Sequence, residues 1–266
     1  MKINKRAIRL KKKREKEIKL IIAEITKYLN KGSSKKQKIL EFGCGAGYQV
    51  RYLQKLGDVI STDIYTHENI EKVPGIHFIE ANILQTPFQD NQFDLLFSNH
   101  VLEHIEDLPK AFNELKRIGN DNCLYAFSVP TNFWLLLSIP SQLLGKIKLA
   151  IRKIFRQKKV TTRNSTETND DNIVENKPMT KSRSRWKKFA LTGHGGVYTK
   201  FFDCYRQFKI ESWKKSFITN KFNIISIKPI LLYAPSELPV IPTINPVNNI
   251  CSSVLFIMTR SPKSID

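Results

Sequence analysis

A glycine-rich turn preceded by an acidic residue is the part of the sequence best suited to hold a ligand. The segment reads Ile39-Leu40-Glu41-Phe42-Gly43-Cys44-Gly45-Ala46-Gly47, a short apolar strand entering a Gly-x-Gly-x-Gly turn that a predicted helix follows. Glycines allow a tight backbone path and close approach of a ligand, and the N-terminus of the helix offers free N–H groups. The pattern therefore predicts a nucleoside-binding turn, with a glycine-rich turn of a non-binding α/β protein as the alternative.

Charge and spacing distinguish this turn from one that binds a pyrophosphate. Glu41 would repel a phosphate, and Gly47 comes one residue too early for the Gly-x-Gly-x-x-Gly of dinucleotide sites. S-adenosylmethionine carries no phosphate but has a sulfonium and an ammonium group, which a carboxylate stabilises. Asp63, at the end of the next predicted strand, suits hydrogen bonds from both ribose hydroxyls. We expect S-adenosylmethionine to be bound by Glu41, Gly43, Cys44, Gly45, Gly47, Asp63 and Ile64.

Strands alternate with helices around this turn. Strands are predicted over 38–42, 58–63, 75–80, 93–98, 124–129, 222–232 and 254–260, and helices over 17–29, 48–56, 108–117 and 209–220. This order predicts an α/β fold, a doubly wound, seven-stranded, mostly parallel sheet whose last strand is antiparallel. We expect a basic arm and an amphipathic helix over 1–37. The sheet domain then spans 38–262, interrupted after strand five by an apolar and basic insertion over 133–189.

The net charge of +20 is concentrated in two peripheral segments. Residues 1–38 carry 15 Lys/Arg against 3 Asp/Glu, and residues 145–189 carry 14 against 4. Such segments favour an anionic partner, either a phospholipid surface or nucleic acid, although a lysine-rich composition with solvated surfaces would look the same. The N-terminus lacks the apolar run of a secretory signal. The four cysteines form no Cys-x-x-Cys pair, so we expect no metal site and a cytoplasmic location.

The insertion has the composition of a segment that lies in a membrane interface. Phe133–Ile139 is apolar, and Leu143–Phe155 alternates apolar and basic residues at helical spacing. Pro140 and Gly145 interrupt the stretch, which is too short to span a bilayer. We therefore expect an enzyme peripheral to the inner face of the membrane. An active-site lid or a dimer contact is the alternative.

Beyond the turn, three segments resemble class I (Rossmann-like) S-adenosylmethionine-dependent methyltransferases, in particular the group of ubiquinone-biosynthesis-type enzymes. They are Glu80-Ala81-Asn82-Ile83, Phe88–Leu95 and Ser98-Asn99-His100-Val101-Leu102-Glu103-His104-Ile105. The resemblance covers roughly 38–130. It implies that Asn82, with its neighbour Ile83, lies at the adenine, and that Asn99 and His100 line the methionine part of the cofactor. The sequence departs from the family at Lys221, where the family usually has glycine.

Two histidines are candidate general bases for methyl transfer to a hydroxyl group. His104 follows the fourth strand, on the side where ligands bind in open α/β sheets. His194 is bracketed by Gly193, Gly195 and Gly196, which suits a loop that closes over a substrate. The alternative for His104 is that it caps and packs its helix, and the alternative for His194 is that it lies in a surface turn.

The expected reaction is methyl transfer to a small-molecule, lipid-linked or envelope-glycan acceptor, with oxygen as the favoured acceptor atom. RNA methylation is one alternative, although the sequence lacks the Asn/Asp-Pro-Pro-Tyr type of motif that holds a flipped base. A binding module that retains the cofactor fold without catalysis is the other. The sequence gives no indication of oligomeric state.

Overall fold

The computed structural model describes residues 5–29, 36–140, 200–233, 243–247 and 249–261. A seven-stranded sheet with the order β3-β2-β1-β4-β5-β7-β6 forms its centre. The strands are β1 (Gln37–Phe42), β2 (Gly57–Asp63), β3 (Phe78–Glu80), β4 (Phe93–Asn99), β5 (Gly119–Pro130), β6 (Phe222–Leu231) and β7 (Ser253–Arg260).

Strand direction confirms the doubly wound sheet predicted from the sequence. Strands β1 to β5 pair in parallel, and β7 runs antiparallel to both of its neighbours, β5 and β6. Residues Leu95, Leu96 and Phe97 of β4 are fully buried in succession, as expected where both faces of a parallel sheet are covered. The strand order reverses between β1 and β4. This reversal opens a crevice at their carboxyl ends, where open α/β sheets bind ligands.

The described residues include six α-helical segments: α1 (Lys5–Ile25), α2 (Val50–Leu53), α3 (Leu108–Ile118), α4 (132–140, the last described residue of this stretch), α5 (Phe201–Gln207) and α6 (Ile210–Thr219). The best defined is α3, which begins where the Asp107 carboxylate accepts a hydrogen bond from the backbone N–H of Lys110. Its buried face is Ala111, Phe112, Leu115 and Ile118, the spacing of an amphipathic helix. No helix among these residues is long and apolar enough to cross a bilayer.

Helix α1 differs from its prediction at both ends. We expected an arm up to Lys16 and a helix over 17–29, but the helix begins at Lys5 and ends at Ile25. Lysine and arginine are good helix formers, so a basic segment continues a helix once that helix is anchored. The anchor is the fully buried face of Ile18, Ile21 and Ile25, which packs on the sheet.

Other differences concern short elements. Helix α2 covers only part of the predicted 48–56, β3 begins three residues later than expected, and β5 begins at Gly119 because that residue pairs with Phe93. Helix α5 has no counterpart in the prediction, since its seven residues bury only Phe201 and Cys204. The predicted basic helical segment over 143–155 lies outside the described residues.

Candidate active site

The glycine turn lies at the crevice and uses its three glycines in two ways. Gly43, Gly45 and Gly47 all have left-handed backbones, with φ of 70°, 54° and 71°. A Cβ atom at Gly43 would overlap the Val101 side chain, and one at Gly47 would lie 2.9 Å from Ile70 Cδ1. At Gly45, no atom lies within 4 Å of the added Cβ. Packing therefore requires the outer glycines, whereas Gly45 leaves open space that a ligand can enter.

Asp63 connects the end of β2 to this turn. One carboxylate oxygen accepts a hydrogen bond from the Gly45 N–H at 2.8 Å, and the other accepts from the Ile64 N–H at 2.8 Å. An ionised carboxylate has about four acceptor positions, so Asp63 retains capacity for ribose hydroxyls. The Ile64 side chain is 65% exposed beside it. This apolar surface is available to a flat ring.

Glu41 lies beneath the turn at the centre of a buried polar chain. It accepts hydrogen bonds from Ser61 Oγ at 2.9 Å and from Gln49 Nε2 at 3.2 Å, and Gln49 Oε1 accepts from Asn99 Nδ2 at 2.8 Å. Burial raises the pKa of Glu41 to about 7 despite these two hydrogen bonds. Gln49, which donates to Glu41, is among the residues that line the ligand cavity, whereas Glu41 is not. A direct contact of Glu41 with the cofactor stays a prediction.

The cavity beside the turn has a volume of about 360 Å³. Its walls come from the glycine turn, the ends of β4 and β5, helices α1 and α4, and the segment that follows β6. Its lining residues are Lys13, Arg14, Glu17, Gly43, Cys44, Gly45, Ala46, Tyr48, Gln49, Asn99, His100, Pro130, Trp134 and Tyr233. The predicted Cys44, Asn99 and His100 are therefore brought together with α1 residues that the sequence reasoning assigned to a separate arm.

His100 occupies a constrained position at the end of β4. Its φ is 59°, and its backbone N–H donates to the Ser128 carbonyl at 2.9 Å. Nε2 lies 3.3 Å from Glu17 Oε1, and Nδ1 lies 3.6 Å from Glu103 Oε1. Burial alone would lower the pKa of His100, but the two carboxylates outweigh it and raise the pKa to about 9. His100 is therefore an imidazolium at neutral pH and does not act as a base there.

Glu17 is the buried counter-ion that α1 contributes. Its Oε1 accepts from Ser253 Oγ at 2.7 Å and from Tyr233 Oη at 3.4 Å, in addition to its pairing with His100. Burial acts to raise the pKa of Glu17, but the hydrogen bond and charge of His100 and the charge of Lys13 lower it overall. The sequence reasoning missed Glu17. The available signal was a carboxylate in the same helical stripe as the buried Ile21.

The other predicted site residues are more dispersed. His104 lies in a half-exposed 3₁₀ turn with Nε2 4.0 Å from Glu103 Oε1, and it is not among the cavity-lining residues. Asn82 Oδ1 accepts from the Leu84 N–H at 2.9 Å within an exposed turn, and Ile83 is buried in the core. His194 lies outside the described residues.

The four cysteines are buried, and none of them is in a disulfide bond. Burial raises the pKa of Cys44 well above its usual range, so its thiol stays protonated. Cys44 therefore serves as a small side chain in the tight turn. In the part of the chain that the structure describes, no group of three His, Cys, Asp or Glu side chains could hold a metal ion.

Comparison with known proteins identifies the same region. A family model described as a methyltransferase domain matches residues 40–127. An uncharacterized protein of Methanocaldococcus jannaschii is 41% identical over 100 residues, which cover 37% of this chain and 44% of that protein. The 2-phytyl-1,4-naphtoquinone methyltransferase of Trichormus variabilis is 39% identical over 62 residues, which cover 22% of this chain and 27% of the enzyme. The chain thus spans less than half the length of these curated relatives.

The fold is shared with solved methyltransferases over most of both chains. The Burkholderia thailandensis 1,6-didemethyltoxoflavin-N1-methyltransferase, solved with bound 1,6-didemethyltoxoflavin and S-adenosylhomocysteine, has a TM-score of 0.53 at 10% identity, covering 92% of this chain and 79% of that chain. The strand order, the glycine turn and the matched domain agree with one another. Residues 40–127 therefore match a methyltransferase domain, and the sheet around them has the doubly wound fold of the solved methyltransferases.

Proposed function

We propose that this chain transfers a methyl group from S-adenosylmethionine to an oxygen atom of a small-molecule, lipid-linked or envelope-glycan acceptor. The observation that carries the proposal is the lining of the cavity. It combines residues of the glycine turn and the end of β4 with Trp134, which follows β5, and Tyr233, which follows β6. We expect the acceptor to bind at these two aromatic residues, next to the methionine end of the cofactor.

The residues at the turn fit the cofactor. Asp63 would hold the ribose hydroxyls, Ile64 and Asn82 would lie at the adenine, and Gly45 leaves the space for close approach. Asn99 Oδ1 is buried without a hydrogen-bond partner in the structure. A buried acceptor of this kind costs free energy until it is satisfied, so the ammonium group of the methionine part is a suitable donor. When bound, the cofactor supplies an electrophilic methyl group.

The protein's own contribution is positioning and exclusion of water. Methyl transfer requires the acceptor oxygen in line with the methyl group, and a hydroxyl acceptor also benefits from a general base. His100 is held as an imidazolium between two carboxylates and does not fill that role. A carboxylate acceptor needs no base. For a hydroxyl acceptor, His104 and His194 remain the proposed candidates.

A tritiated-methyl transfer screen tests the proposal. Labelled S-adenosylmethionine is incubated with lipid, glycan, small-molecule and RNA fractions and with the wild type, Asp63→Ala or Asp58→Ala. Asp58 is an exposed aspartate of the same strand and serves as the matched control. We expect label in a lipid, glycan or small-molecule fraction with the wild type and Asp58→Ala, and none with Asp63→Ala. Label confined to RNA supports the RNA alternative. Absence of both transfer and S-adenosylhomocysteine binding supports a non-catalytic module.

Peripheral association with an anionic membrane is the second part of the proposal. Lys11, Lys12, Lys16 and Lys19 are exposed on α1, which adds a cationic face to the basic segment over 145–189. Such a face is attracted to anionic headgroups by about 1 kcal/mol per lysine near the surface. Co-sedimentation with phosphatidylglycerol vesicles is the test. Equal recovery in the supernatant with and without vesicles would contradict it.

A further inference from the structure

Two cation–aromatic pairs form one wall of the active-site cavity. Lys13 Nζ lies 3.6 Å from the centre of the Tyr233 ring, and Arg14 Cζ lies 5.1 Å from the centre of the Tyr48 ring. All four side chains line the cavity. The rings position the two cations without neutralising them, because an aromatic face carries no net charge.

In the part of the chain that the structure describes, neither cation forms a close ion pair. Among the described residues, no carboxylate oxygen lies within 4.0 Å of the Lys13 ammonium or the Arg14 guanidinium. The charge of Glu17 acts to raise the pKa of Lys13. However, Glu17 Oε1 already accepts hydrogen bonds from Ser253 and Tyr233 and pairs with His100. Burial lowers the pKa of Lys13, which reflects the cost of removing this cation from water.

Among the described residues around this part of the cavity, the cations outnumber the carboxylates. Lys13, Arg14 and the imidazolium of His100 lie near Glu17 and Glu103, and the cofactor's sulfonium, ammonium and carboxylate together add one further positive charge. A cavity lined by one sign of charge concentrates ligands of the opposite sign. The ligand that fits is an anionic oxygen group, a carboxylate or a phosphate, which forms charge-assisted hydrogen bonds with lysine and arginine.

The position of the wall indicates which molecule carries that group. The ribose site at Asp63 ends β2, on one side of the glycine turn, whereas Tyr233 follows β6 and Trp134 follows β5, on the other side of β4. Lys13, which contacts Tyr233, is therefore on the acceptor side of the cavity. Arg14 contacts Tyr48, directly after the glycine turn, and lies where the acceptor side meets the methionine end of the cofactor. We infer that Lys13 and Arg14 bind a carboxylate or phosphate group of the methyl acceptor. This inference rests on the proposed methyl transfer and adds a substrate class to it.

Binding of phenyl phosphate to the full chain loaded with S-adenosylhomocysteine tests this inference by calorimetry. Three proteins are compared: the wild type, Lys13→Gln/Arg14→Gln, and Lys12→Gln/Lys19→Gln. The last pair removes the same charge from exposed positions on the opposite side of α1. We expect the first double variant to bind phenyl phosphate about tenfold more weakly, since loss of a charge-assisted hydrogen bond costs about 1.5 kcal/mol or more. The control double variant should stay within about twofold of the wild type.

Three outcomes would overturn the inference: no binding of phenyl phosphate by the wild type, equal affinities of the two double variants, or a cofactor-side effect. The cofactor-side effect would be weaker binding of S-adenosylhomocysteine with unchanged binding of 5′-methylthioadenosine, which lacks the methionine carboxylate. Failure of the wild type to bind S-adenosylhomocysteine would instead contradict the proposed function itself. If the Lys13 change prevents folding, Arg14→Gln alone, at an exposed position, and Lys13→Arg, which retains the charge, carry the test.

Discussion

Glu17 and His100 form a buried ion pair that joins helix α1 to the end of β4, with Glu17 Oε1 3.3 Å from His100 Nε2. Glu17 is fully buried, and Ser253 and Tyr233 satisfy it from the last strands of the sheet. Breaking such a pair by removing one partner leaves an uncompensated buried charge, which is strongly destabilising. The N-terminal helix is therefore part of the cofactor domain and of its active-site wall.

The pair predicts a specific pH dependence of stability. The pKa of His100 is raised from 6.5 to about 9, so its contribution is fully present below pH 6.5 and is lost as the pH rises through 9. The pKa of Glu17 is lowered, so its contribution is present above pH 4.5 and is lost as the pH falls. Thermal unfolding of the wild type should show Tm decreasing between pH 6.5 and 9.

His100→Asn is the matched variant for this pH dependence. Asparagine tolerates the left-handed backbone at φ 59° but cannot carry a proton charge in this range. We expect a lower Tm at pH 6.5 and a shallower decrease up to pH 9. An unchanged slope in the variant would show that His100 does not carry the effect.

Burial of α1 predicts a second effect on stability. Ile21 is fully buried on the sheet, whereas Leu20 is 39% exposed on the same helix. Ile21→Ala should lower the free energy of unfolding by about 2–5 kcal/mol, and Leu20→Ala should have a much smaller effect. Urea denaturation followed by circular dichroism measures both. Equal losses would mean that α1 does not pack as described.

The sequence predicts the sheet well because the features that indicate it are local. Neighbouring residues define the apolar runs of β1 and β4. The same holds for the turn from Gly43 to Gly47 and for Asp63 at the end of β2. The doubly wound, mostly parallel sheet and its antiparallel last strand follow from the alternation of strands and helices together with the resemblance to the family. These predictions are confirmed by the structure.

The parts of the site that the sequence did not predict depend on contacts between residues far apart in the chain. Glu17 meets His100 across 83 positions, and Asn99 meets Gln49 across 50, and no local pattern encodes either contact. The first part of α1 was also not predicted. The basic composition of residues 1–16 indicated a solvated arm, although lysine and arginine are good helix formers. Gln49 could have been predicted as a site residue, because it is a polar residue shortly after the glycine turn that Glu41 precedes.

The glycine turn predicts different effects for two similar substitutions. Gly43→Ala introduces a Cβ that overlaps Val101, so it should lower Tm strongly. Gly45→Ala meets no neighbouring atom and should cost only the backbone strain of about 1–2 kcal/mol at φ 54°. It should nevertheless weaken S-adenosylhomocysteine binding at least about tenfold, because the methyl group enters the ligand's space. Thermal unfolding and calorimetry separate the two effects, and normal cofactor affinity in Gly45→Ala would contradict the assigned site.

Glu41 predicts coupling between cofactor binding and protonation. Its pKa is about 7 in the free protein because it is buried, so a substantial fraction is neutral at physiological pH. The positive sulfonium and ammonium groups of S-adenosylmethionine favour the carboxylate, so affinity should increase between pH 6 and 8 and binding should release protons. Glu41→Gln should bind more weakly and lose this pH dependence. Calorimetry in buffers of different ionisation enthalpy measures the proton release.

Stability should respond to the same substitution in the opposite direction. The pKa of Glu41 is higher in the folded chain than its value of 4.5 in the unfolded chain, so folding favours the protonated form. Wild-type stability therefore decreases as the pH rises from 4.5 through 7, whereas glutamine is neutral throughout. Without cofactor, Glu41→Gln should have a higher Tm than the wild type at pH 8 and a smaller advantage at pH 5. A variant that binds cofactor less well but is more stable at high pH would show that the buried carboxylate is retained for the ligand's charge, at the expense of the fold.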